Sequence, residues 1–235
     1  MILYIKHIDI EGPETIAPFF QKAGFKSRVI ELYKGQYFPE QLHDIDAVVC
    51  LGGPMNVDEE IKYPFLKEEN GFIERVLDEE IPFLGICLGS QLLSKAAGGK
   101  VTRSPMEEIG WCTVDLTSEG QKDPLFDGLT EDLFVYQWHG DMFSVPPDGI
   151  LLATGSDCPH QALKVGKNAY GLQFHIEITD KSIREWSDEY FANDRALLHV
   201  RKTEMLVEYQ KNRMLFENEA KTIYNNFLKI IKTRT

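Results

Sequence analysis

Basic charge is scarce in this chain: 25 Lys and Arg stand against 37 Asp and Glu, a formal net charge of -12 over 235 residues. That balance argues against a protein that grips nucleic acid or an anionic membrane through a basic footprint. Cysteine is sparse too. Cys50, Cys87, Cys112 and Cys158 lie far apart, with no CxxC pair and no small disulfide-dense scaffold around them, so they read as reduced thiols. The histidines form no HExxH and no Cys/His cluster at ligand spacing, and no metal site is expected. No apolar run approaches membrane-spanning length, and MILYIKHI is interrupted by Lys6 and His7 too early for a signal peptide, so the expected location is the cytoplasm. Repeats and low-complexity tracts are missing. After residue 190 neither GxxxxGK followed by Ser or Thr nor a Ser-Gly-Gly run occurs, and the 45 residues there are too few for an ATP-using synthetase domain.

What is present is the composition of an ordinary globular chain, 43% hydrophobic and 26% charged, which makes disorder an unsuitable reading. The first third alternates strand-like and helix-like pieces. MILYIKHI, RVIEL, DAVVCLGG and IPFLGIC read as strands, and PETIAPFFQKAG, YPFLKEENGFIERVLDEE and LGSQLLSKAAGG as helices. From about residue 100 to 175 shorter β segments follow, separated by Gly, Pro and Asp turns. Residues 195 to 232 turn helical, with an apolar set of Leu198, Met205, Tyr209, Leu215, Ile223, Phe227 and Ile230. The expectation is an α/β fold: an open, mostly parallel sheet flanked by helices, with antiparallel strands at its far half. One main domain spans 1–190, and a helical extension, 191–235, packs on it.

Chemistry concentrates at strand ends. Gly85-Ile86-Cys87-Leu88-Gly89 has the form of a nucleophile elbow, in which glycines flank a residue pushed out of a tight strand-to-helix turn. The helix N-terminus that follows favours a thiolate through its unpaired N–H groups. GLQFHIE reads as an apolar strand emerging in His175, with Glu177 two residues on; if the chain stays extended both project to one side. Glu177 then orients the imidazole as the third member of a triad. The N–H of Leu88 and that of Gly53, in LGGPM, are the candidate oxyanion donors. Each piece has a plainer reading, as a buried cysteine, a strand-end histidine or a simple turn. Their shared placement at the ends of strands, where one crevice can collect them, is what singles out the set.

At these residues the chain resembles the class I (triad) glutamine amidotransferase domain, most closely its free-standing branch related to the amidotransferase part of GMP synthetase. LGGPMNV, FLGICLGSQLL, WHGD and GLQFHIE carry the resemblance, which covers about residues 1 to 190. It implies a flavodoxin-like three-layer fold, Cys87 as nucleophile, His175 as general base and acid, Glu177 as orienter, and Gly53 with Leu88 as the oxyanion hole. It further implies that Gly52, Gln91 and the backbone around Gly140 and Asp141 hold the amino-acid end of glutamine. The implied reaction passes through a γ-glutamyl thioester, releases ammonia, needs no cofactor, and ordinarily serves an acceptor on a synthetase domain or a separate synthetase protein.

Three departures stand out. Ile176 replaces the proline common between the family's His and Glu, Met55-Asn56 follows GGP in place of a small hydroxyl residue, and Trp138 adds bulk beside His139. Three functions fit: a glutaminase serving a synthetase partner, a self-contained hydrolase of γ-glutamyl amides or peptides, and a binding module that keeps the fold without chemistry. The complete Cys-His-Glu set argues against the last.

Overall fold

The computed structural model describes residues 1–234, so Thr235, the last residue of the expected extension, lies outside the described residues. The strands are β1 (Ile2–Lys6), β2 (Ser27–Glu31), β3 (Ala47–Cys50), β4 (Phe83–Ile86), β5 (Val101–Leu116), β6 (Asp132–Phe143), β7 (Gly149–Thr154), β8 (Ala162–Val165) and β9 (Ala169–Leu172). They form one nine-stranded sheet in the order β2-β1-β3-β4-β9-β8-β7-β5-β6 among the described residues. The half from β2 to β9 is parallel throughout, as the apolar runs predict for strands covered on both faces. From β9 to β6 every pairing is antiparallel, so the sheet is mixed. The segment that carries WHGD lies within the long strand β6.

Helices α1 (Ile16–Lys22), α2 (Phe65–Asp78), α3 (Leu88–Ala96), α4 (Asp180–Tyr190) and α5 (Arg195–Arg234) cover the sheet. On one face α2 and α3 bury Leu66, Phe72, Ile73, Leu92 and Leu93 against Leu3, Ile5, Val48 and Phe83. On the other, α1 and the second half of α5 pack Phe20, Ile223, Phe227 and Ile231 against Tyr4, Val49, Leu84 and Ile86. The sequence leaves open whether the tail is one helix or two. It is a single helix of 40 residues, about 60 Å long at 1.5 Å per residue. Met205, Tyr209, Ile223, Phe227 and Ile230 are buried as the apolar set predicts, whereas Leu215 is half exposed. The first half of α5 joins α4 in a separate cluster around Trp186 and Tyr136.

The junction of β4 and α3 is the tightest feature of the fold. Cys87 between them adopts φ 50°, ψ -108°, a left-handed conformation that a side chain tolerates only when its surroundings enforce it. Those surroundings are backbone. A Cβ on Gly85 would lie 2.4 Å from the Gly89 carbonyl oxygen, and one on Gly89 would lie 2.2 Å from the Cys50 carbonyl oxygen. The first turn of α3 therefore rests directly on the ends of β4 and β3, which no other residue type permits. At the far end of α3 the chain leaves the helix through Gly98 at φ +86°; Gly99 has no positive φ.

Replacing Gly89 by alanine therefore forces backbone apart. The expected loss is about 2–3 kcal/mol, or roughly 4–12 °C in Tm at the 2–4 °C per kcal/mol typical of this size. Gly71→Ala is the control: Gly71 is in mid-helix with nothing within 4 Å of its added Cβ, and should stabilise by about 0.5–1 kcal/mol. Thermal unfolding of both variants reads the contrast.

Candidate active site

β4, the loop after β3, β6 and the segment after β9 converge on a cavity of about 330 Å³ at the carboxyl ends of the parallel strands. Cys87, His175, Gly53, Gln91, Gly140 and Asp141 line it together. Two expected members stand just behind its wall. Glu177 is buried beside His175, and a Cβ on Gly52 would meet His175 Cε1 at 3.1 Å. Leu88 opens α3, its side chain packed over Gly53.

The elbow aims the sulfur. Cys87 donates its backbone N–H to the Leu172 carbonyl at 2.7 Å, and its own carbonyl accepts from Ser90 Oγ at 2.6 Å. Cys87 Sγ lies 3.7 Å from the Trp138 carbonyl and 3.8 Å from Gln173 Nε2, which donates to it. Gln91 Nε2 in turn donates to Gln173 Oε1 at 3.2 Å and to the Asp141 carbonyl at 3.1 Å. Asp141 is fixed further by Asn56 Nδ2, donating at 2.8 Å, so the Met55-Asn56 departure places an amide donor on this loop. Among the described residues neither the Gly53 N–H nor the Leu88 N–H donates a hydrogen bond within the chain. Both remain available to a ligand.

His175 does not sit on an extended strand. β9 ends at Leu172, level with the end of its parallel partner β4 at Ile86 and the start of its antiparallel partner β8 at Ala162, and residues 173 to 177 form a bend interrupted by an isolated antiparallel bridge from His175 to Tyr136. The same-side geometry expected of a strand is thus replaced by a turn fixed through tertiary hydrogen bonds. The His175 N–H donates to the Tyr136 carbonyl at 2.8 Å, Tyr224 Oη of α5 donates to the Ile176 carbonyl at 2.8 Å, and Thr15 Oγ1 donates to the Glu177 carbonyl at 3.1 Å. These contacts do what a proline between His and Glu would do by ring constraint. Within the bend Glu177 Oε1 accepts from His175 Nδ1 at 2.7 Å and Oε2 accepts the Ile176 N–H at 2.9 Å. Both carboxylate oxygens are committed.

Electrostatics at the imidazole follow from this packing. His175 is 1% exposed, and burial alone would pull its pKa down. The Glu177 charge, with hydrogen bonding to Cys87 and Glu177, more than offsets that and holds it well above the ordinary histidine range. A protonated His175 is the state this favours. Trp186 of α4 packs edge-on against the ring with centroids 4.8 Å apart.

Several lining residues carry no signal in the local sequence. Glu11 stands in the cavity wall, its Oε1 accepting from Tyr190 Oη at 2.6 Å, and burial pushes its carboxyl pKa up against the opposing pull of His175. Trp186, Tyr190 and Phe191, from the end of α4, join Trp138 in an aromatic wall. Arg103 borders Gly140 and Asp141, 3.4 Å from Asp141 Oδ1. Two groupings also bring potential metal ligands within 4.8 Å of one another, the buried His7 with Cys50 and Glu69, and the partly buried Glu108 with His139 and Cys158, although neither has ligand spacing in the sequence.

Comparison with known proteins follows the same elements. The family model described as glutamine amidotransferase class-I matches residues 11–193. The glutamine amidotransferase-like protein YfeJ of Salmonella typhimurium is 30% identical over 183 residues, 77% of either chain. A glutamine-hydrolyzing GMP synthase subunit of Sulfolobus acidocaldarius is 35% identical over 149 residues, 61% of this chain and 74% of that one. Against full-length GMP synthases the matched segment spans only 26–29% of their length. The crystal structure of a glutamine amidotransferase from Thermotoga maritima superposes with a TM-score of 0.87 at 33% identity, covering 96% of each chain. A match that begins just after β1, takes in the elbow, the cavity and the His-Ile-Glu bend, and closes at the end of α4 places this chain in the glutamine amidotransferase class-I family.

Proposed function

We propose that the protein hydrolyses the side-chain amide of glutamine through a Cys87 thioester and releases ammonia for a separate synthetase. The observation that carries this reading is the convergence, in one cavity, of a strained Cys87 at a helix N-terminus and a His175 held by Glu177 at 2.7 Å. The Cys87 thiolate attacks the amide carbon, and the developing oxyanion takes the N–H groups of Gly53 and Leu88. Protonated His175 gives its proton to the departing nitrogen, so ammonia leaves and a γ-glutamyl thioester remains. Neutral His175 then deprotonates water, which cleaves the thioester to glutamate and regenerates the thiolate–imidazolium pair. Glu177 fixes the Nδ1–H tautomer and balances the cation. Gln91, Gly140 and Asp141, with Gly52 just behind the wall, are assigned to hold the amino-acid group of glutamine. Water is the only co-reactant.

Residues 1–190 carry this chemistry, and 191–235 form an extension that braces it through Tyr224. The relatives that are separate GMP synthase subunits support a partner protein as the destination of the ammonia. Four free thiols suit a reducing cytoplasmic setting; among the described residues no helix is long and apolar enough to cross a membrane. A second reading, hydrolysis of γ-glutamyl amides that carry a substituent on nitrogen, draws on the aromatic wall of Trp138, Trp186, Tyr190 and Phe191, apolar surface that ammonia does not use. Release of ammonia from glutamine that rises on adding the partner supports the first. Efficient cleavage of γ-glutamyl peptides by the protein alone supports the second.

Cys87→Ser should lower glutamine turnover by at least about a thousand-fold while leaving the thermal transition in place, because an alcohol needs a stronger base than this site supplies. His175→Ala should be comparably severe. Glu177→Ala should lose less, by about one to two orders of magnitude, since it orients and does not react. Near-normal rates in either of the first two would remove the mechanism. A pH profile gives an independent check. His175 must be protonated to release nitrogen, and its pKa is raised, so the alkaline limb of the rate should lie above the ordinary histidine value of about 6.5. Glu177→Gln removes the charge that raises it, and the limb should move to lower pH.

A further inference from the structure

We infer that His7, backed by Glu69, is a positioning residue for the hydrolysis proposed above: it locks the Gly52–Gly53 peptide so that the Gly53 N–H faces the developing oxyanion. The inference rests on that functional reading for its chemistry but on separate geometry. His7 follows β1 and sits beside the end of β3, since Ile5 pairs with Cys50 and the Leu51 N–H donates to the Ile5 carbonyl. Its Nδ1 lies 2.9 Å from the Gly52 carbonyl oxygen. A carbonyl oxygen only accepts, so Nδ1 carries the proton and donates it. On the other side Nε2 is 2.9 Å and 3.0 Å from the two oxygens of Glu69, and Cys50 Sγ donates to Glu69 Oε1 at 3.3 Å. His7 and Glu69 are both completely buried.

The consequence follows from peptide planarity. Among the described residues every peptide bond is trans, so the Gly52 carbonyl and the Gly53 N–H point in opposite directions from one rigid plane. Holding the carbonyl on the buried side turns the N–H toward the cavity that Gly53 lines. Two consecutive glycines would otherwise leave this plane free to rotate. Packing reinforces the hydrogen bond: a Cβ on Gly53 would lie 2.9 Å from Leu88 Cδ2 and 3.0 Å from His7 Cβ, so the peptide is clamped between His7 and the residue that supplies the other oxyanion N–H. The chain of hydrogen bonds from Glu69 through His7 to the Gly52 carbonyl also polarises the peptide, strengthening its N–H as a donor. Glu69 takes hydrogen bonds from both His7 and Cys50, at 2.9–3.3 Å, so the carboxylate behind His7 is itself fixed.

The test compares His7→Leu, which removes the donor, with His7→Asn, whose amide nitrogen can occupy the place of Nδ1. Oxyanion stabilisation acts in the transition state, so His7→Leu should lower kcat for glutamine about 10- to 100-fold with KM nearly unchanged, and His7→Asn should recover most of it. Alkylation of Cys87 by iodoacetamide, which forms no oxyanion, should stay within about twofold of wild type in both. A rate for His7→Leu within about threefold of wild type, or equal loss in both variants together with slowed alkylation, overturns the inference. A readout independent of turnover completes the experiment. The Gly53 amide order parameter from NMR relaxation should fall from about 0.85 in wild type to below about 0.6 in His7→Leu and return in His7→Asn; an unchanged value also overturns it. If the wild-type protein cleaves neither glutamine nor γ-glutamyl amides, the functional reading fails, and the order parameter alone decides the placement of the peptide.

Discussion

Everything in the cavity is referred to one reversal of the chain, the left-handed residue between β4 and α3. Because Gly85 and Gly89 bring backbone into contact with backbone there, the sulfur has no freedom to retreat into the sheet. The same reversal ends β4 level with the last residue of β9, and past Leu172 the chain bends and meets β6 again through a bridge between His175 and Tyr136.

The bend that carries His175 is stabilised from outside itself. Tyr136 of β6, Thr15 ahead of α1 and Tyr224 of α5 each take one of its backbone groups, while Glu177 takes two donors from within. A bond of this kind between neutral groups contributes only about 1 kcal/mol net by itself. Their value is collective, since a buried ion pair is tolerable only when its remaining lone pairs and protons are satisfied. The opposite wall repeats the design in a relay from Glu69 to His7 to the Gly52 carbonyl, so that the His175 imidazole and the Gly52–Gly53 peptide are each anchored by a buried carboxylate.

The legible part of the site is the part written in local spacing. GxCxG announces a strand-to-helix turn because only glycine fits beside it, and the run of apolar strands ending in glycine or histidine marks one edge of a parallel sheet. GLQFHIE is a strand only in its first two residues, for a reason invisible to periodicity: an apolar segment stays a strand only while partners run alongside, and neither β4 nor β8 extends past Leu172. Glu11, Tyr190, Trp186 and the pair of His7 with Glu69 are illegible for a related reason. Each acts through contacts to residues tens to nearly two hundred positions away, such as Tyr190 to Glu11 and Trp186 to the Ile10 carbonyl, and no local pattern distinguishes them from core or surface positions. The tail docks as its apolar residues predict, yet its tyrosine also reaches the backbone of the His-Ile-Glu bend, a connection that such a stripe does not announce.

That tyrosine sets a temporal order on maturation. A ribosome delivers the elbow early, then the imidazole, and only some fifty residues later the phenol that settles the Ile176 carbonyl at 2.8 Å. Until α5 has emerged and folded back, the Ile176 carbonyl lacks this partner, so the last tertiary hydrogen bond of the bend closes only after the rest of the cavity has been synthesised.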